Sequence, residues 1–328
     1  MEFYRWKGYQ CAYETIGGLV GGSIGGSAEK MEKMIAAKER FATAESMPAL
    51  LLIHPIGVGL SRDFWSPFIQ QCADVELENP VYNLDLLGCG DSDMPQRPYR
   101  PQDWAEQIAY FIETVAKGPV VLVVQGALLP VAVKLMKLPE ASQVRGMVLS
   151  GPPAWPLMTA QTPEWKTKLV WSLFASPLGN AFYRYARRES FLESFSRRQL
   201  FGSADDVTTD WLAMLHEGSR DMNSRYAVFS FLAGFWRQDY SGAIARIQQP
   251  VLIVMGEEAT TIDRKVSKKV DQPVSVKPTP ESNQKRLQAY LDHFPRAQGV
   301  SIPGRNVLPY ESTKDFVDVV ASFLKEDV

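Results

Sequence analysis

Four side chains capable of catalytic chemistry lie at or near the ends of predicted strands. His54 closes the apolar run LLLIH, Asp85 lies within VYNLDLL, Cys89 follows four residues later, and Ser150 ends the run that starts at Arg145. A parallel sheet brings the carboxyl ends of its strands to one edge, where ligands bind. A histidine beside an acid, a thiol or a hydroxyl could transfer a proton or attack a carbonyl carbon. The chain has only three histidines, and the other two fall in predicted helices, so His54 is the histidine expected at such a site.

The run from Val120 to Val133, VVLVVQGALLPVAV, predicts a buried parallel strand that turns sharply into a helix. A strand-to-helix turn of the form G-x-S-x-G exposes a nucleophilic serine on a strained backbone. The five residues at this turn are Val124, Gln125, Gly126, Ala127 and Leu128. The nucleophile position is therefore Gly126, which has no side chain.

The composition excludes several classes of function. Lys and Arg number 35 and Asp and Glu 37, so the net charge of -2 gives no overall attraction to nucleic acid. The cysteines, Cys11, Cys72 and Cys89, share no metal-type spacing and indicate a reducing compartment without disulfides. We therefore predict no metal and no cofactor. We see no signal peptide, and the apolar runs are shorter than the ~20 residues of a membrane span, so a secreted protein is not expected.

Predicted strands and helices alternate along most of the chain. This alternation predicts an α/β fold, with a mostly parallel central sheet covered by helices on both faces. Between Pro152 and Gln249 the alternation stops and aromatic residues recur at helical spacing, which predicts a helical cap. The expected organisation is a core at 1–151 with an insert at 17–47, a cap at 152–249, and the rest of the core at 250–328 with a polar insert at 263–282.

The predicted cap is rich in aromatic and basic side chains. It carries 17 of the chain's 36 Phe, Trp and Tyr residues, which is more than the small core of a lid accounts for, so some could line a pocket. Five arginines fall in the same segment: Arg184, Arg187, Arg188, Arg197 and Arg198. A solvated helix face is the favoured interpretation, and a site for an anionic lipid or an acidic partner is the alternative.

Four stretches resemble the capped α/β-hydrolase superfamily. They are HPIGVG after the first buried strand, DLLGCGDSD after the next, PVLIVMGEEAT from residue 250, and PGRNVLPYE from residue 303. The sequences of these loops are similar to those of an uncharacterised branch of the superfamily that is found in cyanobacteria and plastids. The resemblance implies the α/β-hydrolase fold and a cytoplasmic or stromal protein, and it implies acyl transfer by a serine, a histidine and an acid.

The sequence departs from the superfamily at all three catalytic positions. Gly126 stands where the serine belongs, Ala259 where the acid belongs, and Val307 where the histidine belongs; a shifted alignment would place Asn306 at the last position. Because nucleophile, base and acid act as a unit, these departures predict a pseudoenzyme.

The first insert has two interpretations. Its glycines recur four apart in GGLVGGSIGGS, and AEKMEKMIAAKERF predicts a helix with apolar and charged residues. Residues 17–41 could contact a membrane surface or a partner, or they could form a flexible linker and a solvated helix, which is the favoured interpretation. The polar insert at 263–282, rich in Pro, Lys and Ser, predicts a loosely held loop.

The leading functional hypothesis is a non-catalytic protein that binds a hydrophobic small molecule or lipid between core and cap. One alternative is a hydrolase or lyase of altered mechanism that uses His54 with Asp85, Cys89 or Ser150. Another is a membrane-associated assembly or scaffold factor. The predicted pocket residues are His54, Ile56, Gln125, Gly126, Ala127, Trp155 and Val307.

Overall fold

The computed structural model describes residues 1–17, 47–75, 77–260 and 280–328. Almost all of the first insert and most of the polar insert lie outside the described residues. The interpretations given to these two inserts above therefore stay predictions.

Eight strands in the described residues form one sheet, in the order β1-β2-β4-β3-β5-β6-β7-β8. β1 pairs antiparallel with β2 and β2 antiparallel with β4, whereas every other pair is parallel. The predicted α/β-hydrolase fold with a mostly parallel sheet is confirmed. The strands are β1 Glu2–Trp6, β2 Tyr9–Ile16, β3 Ala49–Ile53, β4 Val81–Leu84, β5 Val120–Gln125, β6 Val144–Ser150, β7 Val251–Gly256 and β8 Ala297–Ile302.

Helices cover both faces of this sheet. Every residue of β3, β5 and β7 is buried, because these central strands are apolar on both faces and each face is covered. Helices α1 and α13 pack together on one face, and α2 packs with α3 on the other. The helices of the core are α1 Ser66–Asp74, α2 Pro101–Phe111, α3 Leu129–Leu135, α11 Pro280–Leu291, α12 Leu308–Glu311 and α13 Thr313–Glu326.

The predicted cap segment, 152–249, is helical and contains no strand. Its inner rings pack against one another and against the core: Trp211 lies edge-on to Phe201 (5.0 Å between ring centroids) and to Tyr310 of α12 (4.7 Å). A cap helix is thereby joined to the last part of the core through aromatic contacts. The cap helices are α4 Trp155–Thr159, α5 Glu164–Phe174, α6 Pro177–Ala186, α7 Glu189–Phe195, α8 Thr209–Gly218, α9 Arg225–Ala233 and α10 Ser241–Ile244.

The helix that follows β3 begins in two stages. Ser61 Oγ accepts a hydrogen bond from the Asp63 amide (3.3 Å) and caps a 3-10 turn over Arg62–Trp65, after which α1 starts with Pro67 in its first turn. The turn directs the Arg62 side chain into the protein instead of into solvent. That side chain is only 7% exposed.

Arg62 forms a buried ion pair with Asp85, which follows β4. Its other guanidinium nitrogens lie 2.8 Å from Asp91 Oδ2 and 3.3 Å from Glu14 Oε1. The Asp85 carboxylate, which is fully buried, also accepts the amides of Arg62 and Asp91, each at 2.9 Å. The buried arginine therefore fixes the loop after β3, the loop after β4 and strand β2 relative to one another.

Replacing Arg62 should destabilise the fold strongly. Arg62→Met keeps the apolar stem and leaves the Asp85 carboxylate buried without its cation, so we expect a loss of about 3 to 5 kcal/mol in the free energy of unfolding, measured by urea denaturation. The matched control is Lys7→Met, which removes the exposed ion pair with Glu106 and should cost less than about 1 kcal/mol. Equal losses in the two variants would show that the buried pair does not organise these loops.

Candidate functional site

The carboxyl edge of the sheet brings the predicted site residues onto neighbouring strands. Ile53 pairs with Val124 across β3 and β5, and Gln125 pairs with Ser150 across β5 and β6. His54 follows Ile53 directly, and the alternation of side chains along a strand places His54, Gln125 and Ser150 on the same face. The loops after β7 and β8 reach this edge as well.

Gly126 keeps the backbone conformation of a sharp strand-to-helix turn. Its φ is +59°, and an added Cβ would meet no heavy atom within 4 Å outside its chain neighbours. Glycine occupies this left-handed region without the steric cost that a Cβ brings. The turn that would expose a nucleophile is therefore retained, with open space where its side chain would stand.

Ala259 and Val307, by contrast, are buried by the residues around them. Ala259 is 1% exposed, and its carbonyl oxygen accepts from Arg286 Nη1 (2.7 Å). Val307 is 4% exposed and belongs to the same buried cluster as Trp211 and Phe201 of the cap. Neither side chain carries an atom that can exchange a proton, so the loops after β7 and β8 supply only apolar surface at these two positions.

Asn306 ties the cap to this edge of the sheet. Its Nδ2 donates to the carbonyl oxygen of Gln199 (2.7 Å), and its amide donates to that of Leu200 (3.1 Å). Nδ2 also donates to Thr260 Oγ1 (3.0 Å). Gln125 Nε2 in turn donates to the Asn306 carbonyl oxygen (2.6 Å). Four segments of the chain therefore meet at one asparagine, the residue before Val307.

His54 is fully buried, and both of its ring nitrogens are used. The Leu86 amide donates to Nε2 (3.1 Å), which places the ring proton on Nδ1, where it is donated to the Pro55 carbonyl oxygen (2.8 Å). Burial lowers the pKa of His54 to about 4. The ring is therefore neutral near pH 7, and neither nitrogen is free to take a proton from a substrate.

Two of the other candidates for an altered mechanism, Asp85 and Cys89, are also unsuited to chemistry. The Asp85 carboxylate is paired with Arg62 and with two amides. Burial raises the pKa of the Cys89 thiol well above its ordinary value, so the nucleophilic thiolate is not formed near neutral pH. Asp85 is therefore occupied by structural partners, and the Cys89 thiol stays protonated.

Two buried polar atoms on adjacent strand ends have no protein partner among the described residues. They are Gln125 Oε1 and Ser150 Oγ, which belong to a directly paired position of β5 and β6. Buried polar atoms of this kind are normally satisfied by water or by a ligand. This pair is the polar group of the site best placed to accept or donate a hydrogen bond to a bound molecule.

The remaining predicted pocket residues separate into two groups. Ala127 is half-buried beside Gly126, and Ile56 is buried in the core. Trp155 stacks on His293 (4.0 Å between ring centroids) and lies edge-on to Tyr290 of α11. The ring contacts of Trp155 are therefore with α11 and the residues after it.

Among the residues that the structure describes, two cavities lie away from the predicted pocket residues. One of about 480 Å³ lies on the outside of the cap, between residues of α6, α7 and α8. The other, of about 260 Å³, lies beside Met136 and Arg246. His54, Gln125 and Val307 are at most 4% exposed, so these three predicted pocket residues present little free surface to a bound molecule.

Sequence reasoning missed the roles of Arg62 and Asn306. The capping sequence Ser61-Arg62-Asp63 signals the start of a helix, but not that the arginine turns inward. The sequence indicates Asn306 only as the position that a shifted alignment gives to the histidine. Its position beside a conformationally restricted Pro-Gly turn was the available signal for a loop that needs side-chain hydrogen bonds.

Neither a metal centre nor a spanning helix is found in the part of the chain that the structure describes. No group of three or more His, Cys, Asp or Glu side chains is arranged to hold an ion there. No helix among the same residues combines the length and the apolar character needed to cross a bilayer.

The buried neutral His54 should make the protein sensitive to acid. An unfolded histidine takes up a proton near pH 6.5, whereas folded His54 does so only near pH 4. The unfolded state therefore binds more protons between these values, and stability falls as the pH drops through this window, by up to about 3 kcal/mol. His54→Gln should lose this component of the pH dependence, measured by urea denaturation from pH 7 to 4.

The control is His216→Gln, on an exposed side chain, which should follow the wild-type curve. Parallel curves for wild type and His54→Gln would contradict the assignment.

Comparison with known proteins agrees with this architecture. The chain is similar in fold to an esterase from Exiguobacterium antarcticum (TM-score 0.66, 15% identity, 97% of each chain covered). It is also similar to an enol-lactonase from Burkholderia xenovorans LB400 (0.64, 15%, 99% and 100%) and to a thermophilic esterase from Thermogutta terrifontis (0.63, 16%, 97% and 94%). No curated protein matches the chain. The model of the Alpha/beta hydrolase family matches residues 50–319, and this chain belongs to that family.

Proposed function

We propose that this chain is a pseudoenzyme of the α/β-hydrolase fold that binds a hydrophobic small molecule or lipid between core and cap, over Gly126. The similarity of its loops to a cyanobacterial and plastid branch favours a cytoplasmic or stromal setting. The proposal concerns binding, because the positions at which the fold usually places nucleophile, acid and base carry Gly126, Ala259 and Val307.

The observation that carries the proposal is the open space at Gly126. Gln125 and the acid and base positions are buried, yet the Cβ side of Gly126 is clear to 4 Å. Gly126 and Ala127 are only half-buried, so this space is accessible to an entering molecule. A molecule placed there would replace the side chain that a catalytic member of the fold carries.

The chemistry around that space favours an apolar ligand with a polar group. Val307 and Ala259 supply no charge, and His54 is neutral. The unpartnered Gln125 Oε1 and Ser150 Oγ offer an acceptor and a hydroxyl at the floor. An apolar site with few, fixed polar groups is the usual pattern for binding small molecules.

A hydrolase of altered mechanism is the competing function. The structures similar in fold include esterases, and the turn at Gly126 keeps its shape. Against it stands the lack of a free base, since both nitrogens of His54 are hydrogen-bonded within the fold.

Restoring a serine should not restore hydrolysis. Gly126→Ser places a hydroxyl in open space at a cost of about 1 to 2 kcal/mol from the left-handed backbone, so the variant should fold. Without a base and an acid the serine stays unactivated. We expect no labelling by a fluorophosphonate and no turnover of an aryl ester in either wild type or variant. Ester hydrolysis above background by the wild type, lost in His54→Gln, would establish the competing function.

Filling the space should be tolerated. Gly126→Phe introduces both a ring and a backbone strain, and Gly8→Phe is the matched control, because Gly8 has a φ of +86° and equally clear surroundings in the β1–β2 turn. We expect the two variants to lose similar free energies of unfolding. If the space is absent in solution, Gly126→Phe should lose about 1 to 3 kcal/mol more through overpacking.

A further inference from the structure

Two helices of the cap expose apolar side chains to solvent. Trp165, Leu169 and Leu173 of α5 recur every four residues, and Trp165 is 69% exposed. On α6, Leu178, Phe182 and Tyr185 follow the same helical spacing, and Leu178 is 70% exposed. Residues four apart lie on one face of a helix. We call these six side chains the cap patch.

Other faces of the same helices are already buried within the protein. Thr167 of α5 and Gly179, Tyr183 and Ala186 of α6 are buried. The two helices contact each other, with the rings of Phe174 and Phe182 5.9 Å apart, so their outer faces form one surface. A helix that is apolar on its outer as well as its inner side is typical of one that something else covers.

Basic side chains border the cap patch. Between Glu164 and Arg188 there are five lysines and arginines and only one carboxylate, in a chain whose net charge is -2. The Arg188 guanidinium lies 5.6 Å from the centre of the Tyr185 ring, which places positive charge at the edge of the patch. The surface therefore combines an aromatic and aliphatic face with a cationic border.

Three of these arginines surround the cavity of about 480 Å³ on the outside of the cap. Arg184, Arg187 and Arg188 line it together with Glu189, His216 and Met222. Among the residues that the structure describes, none of the three arginines forms an ion pair with a carboxylate. Guanidinium groups left without carboxylates suit the phosphate groups of anionic lipids.

We propose that the cap patch docks onto an anionic phospholipid membrane, with the apolar residues of α5 and α6 entering the interface and the arginines contacting lipid phosphates. This combination of Trp, Leu and Phe with Lys and Arg is what a helix lying in the membrane interface requires. A second copy of the chain is a poorer occupant, because a two-fold contact through the same patch would bring two unpaired arginine clusters together. This docking is independent of what binds over Gly126.

The test is sedimentation of the full chain with vesicles. We expect binding to vesicles of phosphatidylcholine and phosphatidylglycerol, weakened by salt, and little binding to phosphatidylcholine alone. Arg184→Glu/Arg188→Glu should reduce the partition coefficient by at least about tenfold, and Leu169→Glu/Leu178→Glu should do the same. The matched control is Arg145→Glu/Arg246→Glu, which makes the same charge change on exposed residues outside the cap patch and should bind as wild type.

A second measurement separates insertion from surface adsorption. Trp165 is the most exposed tryptophan of the described chain, so vesicles containing brominated lipid should quench part of the tryptophan fluorescence, and Trp165→Phe should abolish that part while retaining binding. The proposal is overturned if wild type does not sediment with anionic vesicles. It is equally overturned if the cap variants bind as wild type, or if light scattering shows a dimer that Leu169→Glu/Leu178→Glu dissociates while vesicle binding is absent.

Discussion

The ion pair between Arg62 and Asp85 joins β2, the loop after β3 and the loop after β4 at the carboxyl edge of the sheet. It holds the residues after β4 in place, and among them the Leu86 amide donates to His54 Nε2. The same pair therefore occupies Asp85 and helps to keep His54 neutral and buried. His54 and Asp85, which one form of the altered mechanism would use, thus both have structural roles in these loops. A charged pair buried to this extent stabilises mainly because removing either partner leaves the other unpaired.

The second organising feature is Asn306, which joins the sheet edge to the cap. Through it the loop after β8 is bonded to Gln125 on the core side and to Gln199 and Leu200 on the cap side. Val307, the next residue, is then held in an apolar cluster with cap rings. A histidine at this position would have to be buried in that cluster, at the cost of desolvating its charged form. The packing explains why the base position is closed while the space at Gly126 stays open.

Much of the fold could be predicted from the sequence, and less of the site. The runs LLLI and VVLVV are apolar at every position, and this alone identifies central parallel strands. The glycine at 126 predicted a sharp turn, and the turn has the left-handed φ that glycine permits. The inward turn of Arg62 could not be predicted, because its partner lies 23 residues away, in the loop after another strand. The outward orientation of Trp165 could not be predicted either. Aromatic residues at helical spacing indicate one face of a helix, but the spacing does not show whether that face is buried or exposed.

The central claim is that the space over Gly126 holds an apolar molecule in a fold without catalysis. It is tested most directly by mass spectrometry of small molecules extracted from the purified protein, comparing wild type with Gly126→Phe and with Gly8→Phe, which carries the same substitution at a clear left-handed glycine far from the site. The account predicts one apolar species that co-purifies with wild type and with Gly8→Phe and is lost from Gly126→Phe. A species retained by Gly126→Phe, or none in the wild type, would contradict it.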